Sequence, residues 1–195
     1  MRLSRIAYYA DFAVYPTLIG VMILVIAHNS HLRHGAFALG LGLAGALLWT
    51  LLEYVMHRFL LHGGSRIAGL HDAHHAQARA WIGTPTWLSV TAIAGMALPT
   101  LLFGAPVFIY LSLTVGLMAG FLLYGLIHHA IHHGEPRILA RTLSRSARRH
   151  FEHHRRGGVG NFGVTTEFWD RLLGTRLPPR AAGAPRRQPV KGAST

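Results

Sequence analysis

Apolar residues are gathered into four runs along this chain, residues 12–27, 36–56, 85–103 and 106–127. As a helix, the second run is long enough to cross about 30 Å of hydrocarbon. The first is short for a span and is expected to start a few residues earlier. Only Gly104 and Ala105 separate the third from the fourth, so these two read as a helical hairpin that enters a bilayer and returns. Pro16 falls near the start of the first run, where a first helical turn tolerates it, and Pro99 is expected to kink the third. The pattern predicts an all-α integral membrane fold of four transmembrane helices.

The polar stretches carry an unusual load. HRFLLHGGSRIAGLHDAHH (57–75), HHAIHH (128–133) and HFEHH (150–154) together hold twelve of the fifteen histidines. Each cluster follows or flanks an apolar run, which predicts a histidine-rich helical cap on one face of the membrane. A smaller set, His28, His31 and His34 in HNSHLRHG, reads as a polar turn at the opposite surface. Residues 1–11 form a basic amphipathic lead, and no clear cleavage site follows it. Residues 1–176 are expected to be one membrane domain, and 177–195, rich in Pro, Ala, Gly and Arg, a disordered basic tail.

Charge fixes the orientation. The chain has 19 Lys and Arg against 7 Asp and Glu, a formal net charge of +12. Four crossings leave only Arg33 on the side away from the histidine clusters, so the positive-inside rule makes the histidine side cytoplasmic. The arginines flank apolar runs and no aromatic-basic motif accompanies them, so they are assigned to the membrane surface and not to nucleic acid. Lys191 is the single lysine, and Ala and Gly are abundant. That bias points to a GC-rich bacterial genome, and hence to a bacterial inner membrane.

Cysteine is absent, so any metal here is held by nitrogen and oxygen. Neutral imidazole is the commonest metal ligand, and it suits zinc, iron, copper and nickel alike. HDAHH and HFEHH share the pattern HxxHH. On a helix, His71, His74 and His75, and likewise His150, His153 and His154, can converge on one point. His128 and His132 are four apart. The pairs His57/His62 and His128/His133 are five apart, about 140° round a regular helix. One member of each is therefore expected past a helix end or at a different metal. Eleven or twelve imidazoles exceed one ion's needs, and two metals account for them.

HRFLLH, HDAHH, HHAIHH and HFEHH, in that order, resemble the histidine boxes of the fatty acid hydroxylase/sterol desaturase superfamily. NFGVTTEFWDRLLGT (161–175) is similar to the segment that closes that family's domain. The resemblance spans about residues 53–175. It implies a membrane-bound non-haem di-iron oxygenase that hydroxylates or desaturates a lipid with O2. The implied ligands are His57, His62, His71, His74, His75, His128, His132, His133, His150, His153 and His154, on two iron ions, with zinc as an occupant on isolation. His129 falls at an open position of its box and is expected beside a ligand. The third box resembles the fatty acid 2-hydroxylase branch, whereas the short stretch between His62 and His71 is closer to the carotenoid hydroxylases. The substrate is an acyl chain of fatty acid or sphingolipid type, or alternatively a sterol or carotenoid. Electrons are expected from a separate protein of ferredoxin or cytochrome b5 type.

Four other residues draw attention. Glu53, one helical turn before His57, either hydrogen-bonds a ligand imidazole or snorkels to the interface. Asp72 and Glu152 lie inside boxes and are candidates to orient imidazoles. Tyr124, one turn before His128, can hydrogen-bond a ligand, pass a proton or electron, or anchor the helix at the interface. From another class of function, a histidine-rich metal transporter competes with the enzyme, as does a structural zinc protein. Transporters place their ligands near the bilayer midplane, and here the histidines cluster beyond the ends of the runs.

Overall fold

A computed structural model of the chain describes residues 2–29, 32–64, 68–134 and 143–178. Helix α1 is Arg5–Asn29 and α2 is Leu32–Val55, which continues through a π-helical turn, Met56–Leu61. Then come α3 (Ala68–Ala76), α4 (Thr86–Leu102), α5 (Val107–His133), α6 (Ser144–Arg155) and the short α7 (Phe168–Leu172). Among the described residues there is no strand, only an isolated antiparallel bridge between Arg2 and Ile82. His31 and residues 179–195 of the expected tail lie outside the described residues.

Three helical stretches are long and apolar enough to cross a membrane: Arg5–His28, His34–Leu61 and Val107–His133. The third apolar run forms α4, which at 17 residues is shorter. Four apolar runs therefore become three helices of spanning length and one of about 26 Å. Because α1 begins at Arg5, Pro16 lies in the helix interior and not in its first turn. The proline removes one N–H from the ladder, and the Thr17 hydroxyl donates to the Ala13 carbonyl beside it (2.9 Å).

Helix α5 is the centre of the bundle. A third of its most apolar stretch is buried, against 6% in α1 and 11% in α2, whose remaining faces carry exposed Val21, Leu24, Leu43 and Leu47. Buried Tyr15, Trp49, Ile93, Leu117 and Met118 form the core where the four long helices meet. Helices α2 and α5 pack backbone to backbone. A Cβ on Gly116 would collide with the Gly42 carbonyl, and one on Gly120 would lie 2.5 Å from the Trp49 Cβ. Small residues at helix contacts permit this approach in membranes, where apolar burial gives little drive between helices.

This packing brings the histidine-bearing ends together. His57, in the π-helical turn after α2, and His128 and His132, in the last turns of α5, reach the same region, so α2 and α5 run parallel. Tyr8, near the start of α1, hydrogen-bonds His129 (3.1 Å), which puts the start of α1 at that end. The Leu3 N–H donates to the Trp81 carbonyl (2.8 Å), which holds the segment leading into α4 there too. Gly116→Val is expected to force α2 from α5 at a cost of about 1–3 kcal/mol or more. Thermal unfolding in detergent should fall by several degrees. Gly20→Ala, which meets nothing within 4 Å, should leave it in place.

Candidate metal centre

Ten imidazoles gather into two groups of five, and within each group the ligand atoms all lie within 4.8 Å of one another. His57, His62, His71, His75 and His153 form the first; His74, His128, His132, His150 and His154 form the second. The expectation that each HxxHH triplet converges on one point is not met. His71 and His75 serve the first group and His74 the second, while His150 and His154 serve the second and His153 the first. At 100° per residue, positions i+3 and i+4 diverge by about 100°, one to each side of position i. Helices α3 and α6 thus lie between the groups and contribute to both. The rings of His75 and His154 stack across the boundary at 4.1 Å.

His57 and His62 reach the same group although they are five apart. The chain underwinds at Met56–Leu61 into a π turn, in which i and i+5 are one turn apart. Their rings stack at 5.2 Å, with His62 just past the helical end. Gly158, at φ +81°, backs the His62 ring so closely that a Cβ would strike it. His133 lies outside both groups. It stacks flat on Trp81 (4.7 Å, 11°) and beside His129, because five residues on a regular α-helix turn it away from His128.

Protons alone do not satisfy the first group. The His57 Nδ1–H donates to the Phe162 carbonyl (2.5 Å) and the His153 Nδ1–H to the Gly160 carbonyl (2.8 Å). A carbonyl only accepts, so in the neutral ring each Nε2 is a bare lone pair. The His57 Nε2 faces that of His71 at 3.0 Å, His71 faces His75 at 3.1 Å, and His75 faces His153 at 3.1 Å. If His71 donates to His57 and His75 to His153, two N–H groups confront each other between His71 and His75. No assignment of neutral rings satisfies all three contacts. A cation facing five lone pairs does.

The spacing fits such an ion. Metal–imidazole bonds of about 2.0–2.1 Å separate nitrogens by about 2.8–3.0 Å at right angles and about 3.3–3.4 Å at tetrahedral angles. The four close Nε2 contacts in the first group, including His62–His153, are 3.0–3.1 Å, and those of His132–His150 and His154–His150 in the second are 2.8 and 3.0 Å. The His74 Nε2 is buried with no protein partner. The rings are also in the ligating form. Burial, then neighbouring imidazoles, pushes His71 down to about 2 and His75 to about 3. Burial takes His74 to about 4, and His153 to about 4 against the pull of its bond to Gly160. Burial also holds His62, His150 and His154 below the usual imidazole range.

Two buried carboxylates position these rings at one remove. Glu53 is bonded to no imidazole and does not reach solvent. It is 4% exposed and accepts the Val164 N–H (2.5 Å), the Thr165 N–H (3.0 Å) and the Thr165 hydroxyl (2.5 Å). Asp170, fully buried, accepts the Phe162 and Gly163 N–H groups at 2.9 and 2.8 Å. Between them they clamp residues 162–165, and with them the carbonyl that holds His57. Asn161, at φ +53°, accepts the Leu177 N–H (2.9 Å), and Trp169 donates to Thr50 (3.0 Å). These residues hold the C-terminal segment over the groups. Glu152 pairs with Arg155 and with Arg156 (2.8 Å), and Asp72 is exposed. Tyr124 stacks on His128 (5.6 Å, 12°). The Phe162 and Gly160 carbonyls carry no signal in a sequence.

A cavity of about 180 Å³ opens beside both groups, lined by His71, His74 and His128, by Tyr124, and by Tyr8 and Asp11 of α1. Residue types gave no sign that α1 would border the site, beyond a carboxylate at the edge of an apolar run.

Comparison with known proteins agrees with this geometry. A family model described as fatty acid hydroxylase matches residues 42–175. The chain is 30% identical over 159 residues to the dihydroceramide fatty acyl 2-hydroxylase FAH2 of Arabidopsis thaliana, covering 72% of this chain and 61% of that protein. To the ceramide very long chain fatty acid hydroxylase SCS7 of Saccharomyces cerevisiae it is 32% identical over 158 residues, 74% of this chain and 40% of the relative. The chain thus spans less than two thirds of the length of these relatives. A solved structure titled full length scs7p, with only its hydroxylase domain visible, superposes with a TM-score of 0.73 at 26% identity, covering 93% of this chain and 70% of that one.

Elemental analysis of purified protein is expected to give two metal ions per chain. His153→Ala and His74→Ala should each lower that content towards one, and His133→Ala should leave it unchanged. Stability should also depend on pH with a definite sign. Unfolded histidines take up protons below about 6.5, whereas His71, His75 and His74 in the fold resist protonation until about 2, 3 and 4. The unfolded state therefore binds more protons throughout that window, and stability falls as pH drops through it. Chelator-treated protein should melt several degrees lower at pH 5 than at pH 7.5, and loaded protein should release metal over the same range.

Proposed function

The chain belongs to the fatty acid hydroxylase family, and we propose that it hydroxylates a lipid acyl chain of fatty acid or sphingolipid type, using O2 and electrons from a separate protein. The observation that carries this reading is the pair of five-imidazole groups bordering one cavity at the ends of apolar helices. The ligand set we propose is the ten grouped histidines, with His133 and His129 supporting the edge from outside. Five nitrogens in a group, with successive contacts at right-angle spacing in the first, suit iron better than tetrahedral zinc. Two irons, when bound, supply the activation of O2 that side-chain chemistry lacks. The reaction balances as C–H plus O2 plus two electrons and two protons, giving C–OH and water.

The chain's own residues do the rest. The carbonyls of Phe162 and Gly160 fix His57 and His153 with their lone pairs inward. Glu53 and Asp170 hold the loop that carries the Phe162 carbonyl. Phe12, Leu61, Phe121 and Leu122 give the cavity an apolar lining that keeps an acyl segment in place and limits water. Tyr124 borders that cavity and stacks on His128, so it touches both substrate space and a ligand ring.

We further propose that α4 and α5 cross the membrane as a hairpin, giving four crossings within a domain of residues 1–176. The histidine end then faces the cytoplasm of a bacterial inner membrane. The supporting observations are the shared end of the long helices and the excess of arginine there. A ferredoxin or cytochrome b5 type donor would reach the site from that side.

The test is lipid mass spectrometry of a host expressing the chain or its His153→Ala variant. A lipid heavier by one oxygen, found only with the intact chain, is the expected result. A product lighter by two hydrogens would make it a desaturase, and an oxidised sterol or carotenoid would move the substrate class. Metal uptake without lipid oxidation, in an iron-replete host with a reductant, would overturn the enzyme reading.

A further inference from the structure

Asp11 is the one carboxylate lining the cavity beside the metal groups, and the described lining contains no lysine or arginine. Its Oδ1 is buried without a protein partner, while the carboxylate interacts on its other side with the Thr86 side chain. Tyr8, three residues earlier on the same helical face, hydrogen-bonds His129 and so fixes α1 against α5 (3.1 Å). Asp11 is therefore held in place beside the site and has an acceptor to spare. It also lies outside residues 42–175, the part shared with the family model.

The cavity's size decides what meets that acceptor. At about 180 Å³ it is smaller than the roughly 300–1,000 Å³ of pockets that enclose whole ligands. It takes the reacting segment of a lipid while the remaining chain lies among the helices or in the bilayer. His71, His74 and His128 line the same small space, so the group that meets Asp11 is close in the substrate to the carbon that reacts. A buried carboxylate accepts from N–H or O–H and repels another carboxylate, and no cation in the lining offsets that repulsion.

We propose that Asp11 is a specificity-determining residue of this site. Its carboxylate accepts a hydrogen bond from a neutral donor, an amide N–H or a hydroxyl, adjoining the acyl carbon that is oxidised. It thereby disfavours lipids whose head is a free carboxylate. This rests on the hydroxylase reading above. Asp11→Asn keeps the shape, removes the negative charge and puts an NH2 donor in place of one carboxylate oxygen, so it weakens the preference without opening a hole.

The experiment uses metal-loaded protein in nanodiscs and two probes, an N-acyl sphinganine and the matching free fatty acid. For each probe it measures binding by displacement of a fluorescent lipid, and turnover with a chemical reductant. For Asp11→Asn, Kd and KM for the N-acyl lipid should rise roughly tenfold or more, those for the free acid should fall, and metal content should stay the same. A third probe, N-methylated and O-capped so that it has no donor, should bind the wild-type chain roughly tenfold or more weakly than the N-acyl lipid does. That arm decides the matter even if the variant does not fold. Equal preference for all three probes in wild type, or an unchanged preference in a folded variant, overturns the proposal. Asp11-dependent binding without turnover of any probe would uphold it and overturn the hydroxylase reading instead.

Discussion

Lone pairs that face one another at about 3 Å govern this molecule. Two carbonyls fix the tautomers of His57 and His153, and the contacts running from His57 through His71 and His75 to His153 then have no consistent set of protons. An assembly of neutral imidazoles in that arrangement is frustrated until a cation enters. Burial, meanwhile, opposes relief by protonation, since it drives the described histidines outside the membrane spans towards their neutral form. The fold thus holds the rings where a metal ion satisfies them and where protons do so poorly. Metal binding and stability are coupled for that reason.

Holding ten rings against that repulsion requires a stiff frame, and the frame is built differently on its two sides. In the bilayer, rigidity comes from close approach. Gly116 and Gly120 let α5 lie against α2, so His57 and the α5 histidines end at a common level. Over the histidine groups, rigidity comes from buried carboxylates that bind backbone. Glu53 and Asp170 each accept several hydrogen bonds from residues 162–165 and their surroundings. A carboxylate spread over several N–H and O–H donors is held immobile and fixes a whole loop, whereas one spent on an imidazole would fix one ring. The arrangement orients His57 through a carbonyl, and leaves both carboxylates out of the metal's reach.

Much of this was legible in the residues, and the parts that were not share a physical cause. The apolar runs predicted the long helices, and the histidine spacing marked out the ten imidazoles that group, because both are properties of residue type and period. Shorter-range geometry was hidden. The HxxHH triplets were expected to converge, but a helix that lies between two sites splits i+3 from i+4. The five-residue gap from His57 to His62 looked incompatible with one site until the backbone underwound. The same gap from His128 to His133, on an unbroken α-helix, does turn the last ring away, onto Trp81. One spacing thus gives two outcomes, and backbone hydrogen bonding decides between them.

Helix α1 shows what remains when the shared machinery is set aside. It lies outside the residues matched to the family, yet it closes the cavity with Tyr8, Asp11 and Phe12. The imidazole groups, the carbonyls that orient them and the carboxylate clamp depend on one another, because each fixes the next. A wall contributed by a separate helix is under no such constraint. It borders the cavity while contributing none of the grouped imidazoles, so it can change without disturbing them. On the hydroxylase reading proposed above, a carboxylate on that wall sets selectivity between lipid head groups independently of the oxidation itself.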